Sequence, residues 1–312
     1  MDVFFIALGI ALLYFGGELL VTNASKLARI WGLSPLVIGL TVVAFGTSAP
    51  ELAASLTAAL QGSAALAIGN VVGSNIANIA LILGVAALLH PLRTEARFIR
   101  REVPIMIVVA GLLVLLFRDG SLGRFEGALF LTLLALYLWV LLRGSEQPQV
   151  EAAFAEAYAG GSSVTSPRRT VLGALAGLAL LVIGAQLLIT GATALARSAG
   201  VPELVIGLSL VAVGTSLPEL ATSVIAALKR ESDIALGNIV GSNIFNILGI
   251  LGVTTLVQPV TLPYAEVALD LWLMLGLSLL MLPFLLTGLR LGRREAAVLL
   301  LLYALYLGYL YL

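Results

Sequence analysis

The chain has 312 residues, of which 60% are hydrophobic and 11% charged, and its formal net charge is zero. Soluble domains carry about 25% charged residues, so an ordinary water-soluble fold is excluded, and the neutral overall balance says nothing about nucleic acid. There is no cysteine, which excludes disulfides, thiolate metal sites and cysteine nucleophiles.

Apolar runs of about 18 or more residues recur along the chain, the signature of transmembrane helices. They predict ten spans, at about 3–25, 35–60, 65–89, 103–117, 125–142, 171–195, 203–228, 234–257, 265–286 and 295–312. The first run lacks a basic n-region (Met1-Asp2-Val3-Phe4) and has a counterpart at the start of the second half, so it reads as a retained helix and not a cleaved signal peptide. The one long connection, Arg143–Arg169, is rich in Ala, Glu, Ser and Gly and contains Pro148 and Pro167. It reads as a polar linker with a short helix at Val150–Tyr158. With the N-terminus outside, 14 of the 17 Lys and Arg residues fall in inside loops: Lys26, Arg29, Arg93, Arg97, Arg100, Arg101, Arg143, Arg168, Arg169, Lys229, Arg230, Arg290, Arg293 and Arg294. Only Arg118, Arg124 and Arg197 fall outside. This bias predicts both termini outside and the linker in the cytoplasm.

The second and third spans occur twice. Gly39–Pro91 returns 168 residues later as Gly207–Pro259, with 31 of 53 aligned positions identical. The match reaches upstream, aligning Gly16-Gly17-Glu18-Leu19-Leu20 with Gly184-Ala185-Gln186-Leu187-Leu188, and weakens over the fourth and fifth spans of each half. Five is an odd number, so the second half enters the membrane from the opposite side. The predicted fold is an all-α polytopic membrane protein whose ten transmembrane helices form two inverted five-helix repeats, 1–142 and 171–312, joined by the linker 143–170. Secondary transporters of this architecture place their site at mid-membrane, where the repeats meet.

The repeated stretch carries the chemistry. Gly46-Thr47-Ser48-Ala49-Pro50-Glu51 in span 2 returns as Gly214-Thr215-Ser216-Leu217-Pro218-Glu219 in span 7. A glutamate inside a membrane segment marks a functional site by default. Pro50 cannot donate a backbone hydrogen bond, so carbonyls near Gly46, and Ala44 at the kink, are expected to leave the helical ladder; Ala212 is the equivalent of Ala44. Thr47 and Glu51 share a helix face at i, i+4. Span 3 contributes Gly69-Asn70-Val71-Val72-Gly73-Ser74-Asn75-Ile76-Ala77-Asn78, and span 8 its copy Gly237-Asn238-Ile239-Val240-Gly241-Ser242-Asn243-Ile244-Phe245-Asn246. Ser74 and Asn78 are again i, i+4, as are Ser242 and Asn246. Two carboxylates with hydroxyls, carboxamides and freed carbonyls form an all-oxygen donor set. It suits Ca²⁺, or several Na⁺ ions, better than Mg²⁺, which dehydrates reluctantly; no Cys or paired His is present for zinc or copper.

These duplicated G-T-S-x-P-E and G-N-x-V-G-S-N-I motifs resemble the two alpha repeats of the sodium/calcium exchanger family, within the calcium/cation antiporter superfamily, in its prokaryotic form without a large regulatory loop. The resemblance implies a secondary antiporter in the prokaryotic inner or plasma membrane, exchanging Na⁺ for Ca²⁺ by alternating access. Both ions would be substrates, with the lipid bilayer as surroundings and no cofactor or obligatory protein partner. It implies that Glu51 and Glu219 are the shared carboxylates. Thr47, Thr215 and the carbonyls of Ala44 and Ala212 would complete Ca²⁺ or flanking Na⁺ sites. Ser48, Ser216, Ser74 and Ser242 would be Na⁺ ligands, and Asn78 and Asn246 would line the middle. Many relatives carry Asp where this chain has Asn246, which leans towards K⁺ independence. A Ca²⁺/H⁺ antiporter is the alternative, though the cation/proton branch usually carries a different motif; a cation channel and an intramembrane enzyme are more remote.

Other polar residues are assigned humbler roles. Asn70, Asn75, Asn238 and Asn243 are expected to bridge helices, and Glu18 to snorkel or to pair with a cytoplasmic Arg. Glu102 and Asp270, near helix N-termini, are expected to complement the helix dipole, and His90 to sit at the interface. The Tyr-rich tail from Tyr303 to Tyr311 reads as an aromatic belt. Spans 1 and 6, which carry Gly16, Gly17 and Gly184, are expected to slide against the rest as a gate.

Overall fold

A computed structural model of the chain describes residues 2–143, 166–198 and 212–310. The predicted helix at Val150–Tyr158, most of the linker and residues 203–211 of the seventh span lie outside the described residues. Each of the ten predicted stretches is helical where it is described. Helix α1 is Asp2–Trp31; α2 (Pro35–Thr47) and α3 (Ala49–Leu60) share the second stretch; α4 is Ala64–Leu89, α5 Ala96–Leu116, α6 Arg124–Arg143 and α7 Pro167–Ser198. The seventh stretch holds α8 (Ala212–Thr215) and α9 (Leu217–Leu228), followed by α10 (Ser232–Val257), α11 (Tyr264–Leu286) and α12 (Arg293–Leu310). Among the described residues six helices are long and apolar enough to cross a membrane singly, and the bent pair α2–α3 makes a seventh. Helices α5 and α12 open on charged turns, Arg97 to Glu102 and Arg293 to Glu295.

Apolarity and enclosure do not track each other. The most apolar stretches of α4 and α10 are 78% and 94% buried, whereas those of α1 and α7 are only 28% buried although they are the more apolar. Such exposed apolar faces are what a lipid solvent requires. Thus α4 and α10, which carry the repeated G-S-N motif, form the centre, and α1 and α7 lie against it.

Helices α1 and α7 have 30 and 32 residues, about 45 Å each at the helical rise. That exceeds a hydrocarbon core of about 30 Å, so they must tilt. They run antiparallel along a seam of glycines spaced by seven: Gly9 and Gly16 on α1, Gly177, Gly184 and Gly191 on α7. A methyl added at Gly177 would stand 2.6 Å from Leu20 N and 2.9 Å from the Gly16 carbonyl oxygen; one added at Gly16 would meet Leu181 N at 2.8 Å. The backbones therefore touch directly, the packing that small residues permit where no hydrophobic effect drives helices together. The pair is tied to the centre by Lys229, at the end of α9, whose Nζ lies 2.5 Å from Glu18 Oε1 and 2.6 Å from Thr22 Oγ1 on α1. The partner of Glu18 is thus a lysine where arginine was expected.

The halves exchange short antiparallel ribbons. Strand β1 (Leu92–Arg93) pairs with β4 (Arg290–Leu291), and β2 (Ser121–Leu122) with β3 (Val260–Thr261). Each ribbon joins two loops that the cation count assigns to the same side. Arginine contacts repeat the exchange: Arg124 Nε donates to the Leu256 carbonyl at 3.3 Å and Arg293 Nε to the Leu88 carbonyl at 3.1 Å.

Glu102 and Asp270 do not merely complement helix dipoles. Glu102 is buried and accepts a hydrogen bond from Tyr137 Oη at 3.0 Å, joining α5 to α6. Asp270 accepts one from Tyr306 Oη at 3.0 Å, joining α11 to α12. The reason is depth: both acids stand in the second turn of their helices, within reach of a neighbouring helix, and Glu102 also pairs with Arg101 of its own helix at 3.4 Å.

The glycine seam yields a direct expectation. Gly177→Val forces α1 off α7, and overpacking of this kind costs about 1–3 kcal/mol. A lowered melting temperature in detergent is expected, measured beside Gly276→Ala, where an added methyl meets nothing within 4 Å and stability should hold.

Candidate functional site

The site starts from a break in a helix. Helices α2 and α3 meet at 45° with Ser48 at the joint, φ −83° and ψ 6°. Ser216 between α8 and α9 has nearly the same angles, φ −87° and ψ 8°. Pro50 and Pro218 fall in the first turn of the following helix, where a missing N–H costs nothing. The prolines therefore start new helices and do not kink continuous ones. For this reason Ala44 departs from expectation: its carbonyl still accepts the Ser48 amide at 3.0 Å and lies 3.3 Å from Thr47 Oγ1. A ligand there would compete with Thr47 Oγ1, whose hydrogen can go to Asn238 Oδ1 in its place.

The break turns each serine towards the glutamate of the other copy. Ser48 Oγ donates to Glu219 Oε1 at 3.0 Å, and Ser216 Oγ lies 3.2 Å from Glu51 Oε1 and 3.3 Å from Ser74 Oγ. Both glutamates are 1% exposed. Neither forms an ion pair with a Lys or Arg among the described residues. Such hydroxyl bonds are the partial compensation a buried carboxylate needs.

Helices α4 and α10 hold the backbone at each glutamate. Asn70 Nδ2 donates to the Glu51 carbonyl at 3.2 Å and to Ser55 Oγ at 2.8 Å. Asn238 Nδ2 lies 3.5 Å from the Glu219 carbonyl and 2.9 Å from Ser223 Oγ. Their oxygens take the threonines: Thr47 Oγ1 is 3.1 Å from Asn238 Oδ1, and Thr215 Oγ1 is 3.5 Å from Asn70 Oδ1. Asn78 and Asn246 each begin a wider, π-helical turn, Asn78–Ile82 and Asn246–Leu251, a local form frequent at functional sites.

Several buried oxygens here have no hydrogen-bond partner: Glu51 Oε2, Glu219 Oε2, Asn78 Oδ1, Asn246 Oδ1 and Ser242 Oγ. Four of them are two equivalent pairs, one member from each copy. Buried polar atoms are normally satisfied, so hard oxygens facing no donor are a fitting set for a hard cation. Among the described residues no cluster of three or more His, Cys, Asp or Glu could hold a metal ion; the formal charge of this set comes from two carboxylates. Of the residues expected to supply cation ligands, all but Ala212 have a described place in or beside this arrangement; Ala212 is the first residue of α8. Ser55 and Ser223 were not singled out. Their signal was available: each follows its glutamate by four residues in both copies.

Comparison with known proteins gives the family and the fold. The family described as "Sodium/calcium exchanger protein" matches residues 1–143 and 169–312. The chain is 43% identical to CaxA of Alkalimonas amylolytica over 315 residues, 99% of this chain and 97% of that one. It is 35% identical to the sodium/calcium exchanger MaX1 of Methanosarcina acetivorans, covering 97% of each. A solved structure of the sodium-calcium exchanger NCX_Mj, soaked with Na⁺ and Sr²⁺, superposes with a TM-score of 0.86 at 29% identity, covering 98% of this chain and 97% of that one. The chain belongs to the sodium/calcium exchanger family. It is an integral membrane protein with the mostly helical fold of that family.

The partnerless carboxylate oxygens make the bare site costly, since a buried charge without full compensation destabilises the fold. Glu51→Gln is therefore expected to raise the melting temperature in buffer stripped of Na⁺ and Ca²⁺, read by differential scanning fluorimetry. An unchanged or lower value would mean that the carboxylate is already compensated.

Proposed function

We propose that the protein is a secondary antiporter that exchanges Na⁺ for Ca²⁺ by alternating access, with both ions competing for one site built on Glu51 and Glu219. The observation that carries this reading is the set of four buried oxygens without donors, Glu51 Oε2, Glu219 Oε2, Asn78 Oδ1 and Asn246 Oδ1. Thr47, Thr215, Ser48, Ser216, Ser74, Ser242 and the carbonyls of Ala44 and Ala212 complete the ligand set. What is named of MaX1 and NCX_Mj, both sodium/calcium exchangers, supports Na⁺ as the coupling ion.

The proposed topology is ten spans in two inverted five-helix repeats, 1–142 and 171–312, with 143–170 cytoplasmic and both termini outside, in a prokaryotic inner or plasma membrane. The ribbon pairing supports it, because one miscounted span would join loops on opposite sides. A cation on the glutamates screens a pair otherwise too costly to occlude; loading by either ion then permits the change of facing, and the bare site resists it. The pair α1 and α7 slides past the centre as the gate. Each net charge moved across the membrane is worth about 2.3 kcal/mol per 100 mV.

The test is Ca²⁺ uptake into proteoliposomes of the purified protein. Vesicles loaded with Na⁺ and diluted into Na⁺-free medium are expected to take up Ca²⁺, and K⁺-loaded or acid-loaded vesicles are not. Glu51→Gln and Glu219→Gln are each expected to reduce uptake to background. Uptake driven by acid but not by Na⁺ would establish Ca²⁺/H⁺ exchange in its place.

A further inference from the structure

Asn75 and Asn243 stand beside the site, buried to within 2% and 1% exposure, and supply none of its open oxygens. Each reaches across to the opposite copy. Asn246 Nδ2 donates to Asn75 Oδ1 at 2.9 Å, and Asn78 Nδ2 donates to Asn243 Oδ1 at 3.1 Å. A carboxamide has one accepting and one donating end. With its amino group taken, each site asparagine turns its oxygen the other way, and those oxygens are the ones left without a donor.

What holds Asn75 and Asn243 in turn can only accept. Asn75 Nδ2 lies 3.3 Å from the backbone carbonyl of Asn243 and 3.6 Å from Met274 Sδ. Asn243 Nδ2 lies 3.5 Å from Met106 Sδ. Met106 and Met274 are themselves 168 residues apart, on α5 and α11. A backbone carbonyl and thioethers offer no donor, so neither asparagine can flip without setting acceptor against acceptor. The order runs outward to inward: fixed acceptors orient Asn75 and Asn243, and these orient Asn246 and Asn78.

We infer that Asn75 and Asn243 are positioning residues that set cation affinity by dictating which end of the Asn246 and Asn78 carboxamides faces the ion. This rests on the proposed site. An amino group turned inward would place a donor against a cation, so the orientation decides whether the carboxamide is a ligand at all. The same constraint acts on charge: an ionised Asp at position 246 would set a carboxylate oxygen against Asn75 Oδ1, so Asn75 favours the neutral carboxamide that this chain carries.

The experiment is Na⁺-driven Ca²⁺ uptake by the full chain in proteoliposomes, with KM for Ca²⁺ and maximal rate measured for Asn75→Ala, Asn246→Ala and the double variant. Asn75→Ala is expected to raise KM about tenfold, the scale of one buried hydrogen bond, at a maximal rate near that of the parent. Asn246→Ala raises it at least as much, and adding Asn75→Ala to it changes nothing further. A merely structural Asn75 would lower melting temperature and maximal rate and leave KM alone; that result, or a KM effect that persists in the Asn246→Ala background, overturns the inference. An Asn246→Ala variant with unchanged KM overturns the ligand assignment itself, a distinct failure. The mirror set Asn243→Ala, Asn78→Ala and their double variant, read the same way, decides the matter should Asn75→Ala fail to fold.

Discussion

Two carboxylates buried in an apolar interior, with no cationic side chain bound to either among the described residues, are the constraint from which the rest of this structure follows. An uncompensated charge there is among the costliest things a fold can contain. The chain answers with hydroxyls, and takes them from the wrong copy: the Ser48 hydroxyl serves Glu219 and the Ser216 hydroxyl serves Glu51. Neither copy completes its own acid, so the site exists only where the two meet. The crossing coincides with the helix break, where Ser48 and Ser216 stand between two helices and aim their hydroxyls at the opposite glutamate. Starting a new helix at Ala49 and at Leu217, with proline in its first turn, makes that break at small local cost.

The same crossing repeats at every scale. Asn75 and Asn243 hold the carboxamides of the opposite copy, the ribbons join loops of opposite halves, and Arg124 and Arg293 cap helices that belong to the other half. Against this interlocked centre, α1 and α7 are joined chiefly to each other through glycine contacts. A seam of backbone against backbone holds the two helices close and leaves bulky apolar side chains such as Phe4, Phe15 and Leu175 on their exposed faces. On the proposed mechanism this pair is the part that shifts, while the centre keeps the oxygens together.

Much of this was legible in the residues, and the reason differs by element. The duplicated Gly46–Glu51 and Gly69–Asn78 segments carry their chemistry in side chains, so identity at an offset of 168 revealed both the copies and the oxygen set. The reciprocity of the serines was hidden, since a motif names its ligands and not the copy each one serves. The break at Ser48 was misread as a kink because the sequence shows Pro50 but not which helix the proline belongs to. The π-helical turns at Asn78 and Asn246 leave no signature in residue type. The acid–tyrosine clamps were obscured by a slip of one residue: Glu102 and Asp270 keep the 168 offset, whereas Tyr137 and Tyr306 are 169 apart. The extra residue falls at Leu289, which follows Gly288 and adopts a left-handed φ of 51°, so the register of β4 and α12 survives the insertion.

Departures from symmetry then acquire a physical meaning. On the proposed topology, two identical halves would make the states facing either side equal in energy, because each is the other turned over. Any preference must come from positions where the copies differ. The clearest is the tie between α1 and α9: Glu18 meets Lys229, whereas the equivalents of these residues are Gln186 and Gln61. A partly exposed ion pair is worth about 0–1 kcal/mol, which shifts a two-state balance by a factor of at most about five. On that topology a tie of that size on one side would bias the resting state without locking it. On the proposed mechanism that range suits an exchanger, since a stronger tie would have to be broken on every cycle by ions whose binding is already committed to screening Glu51 and Glu219.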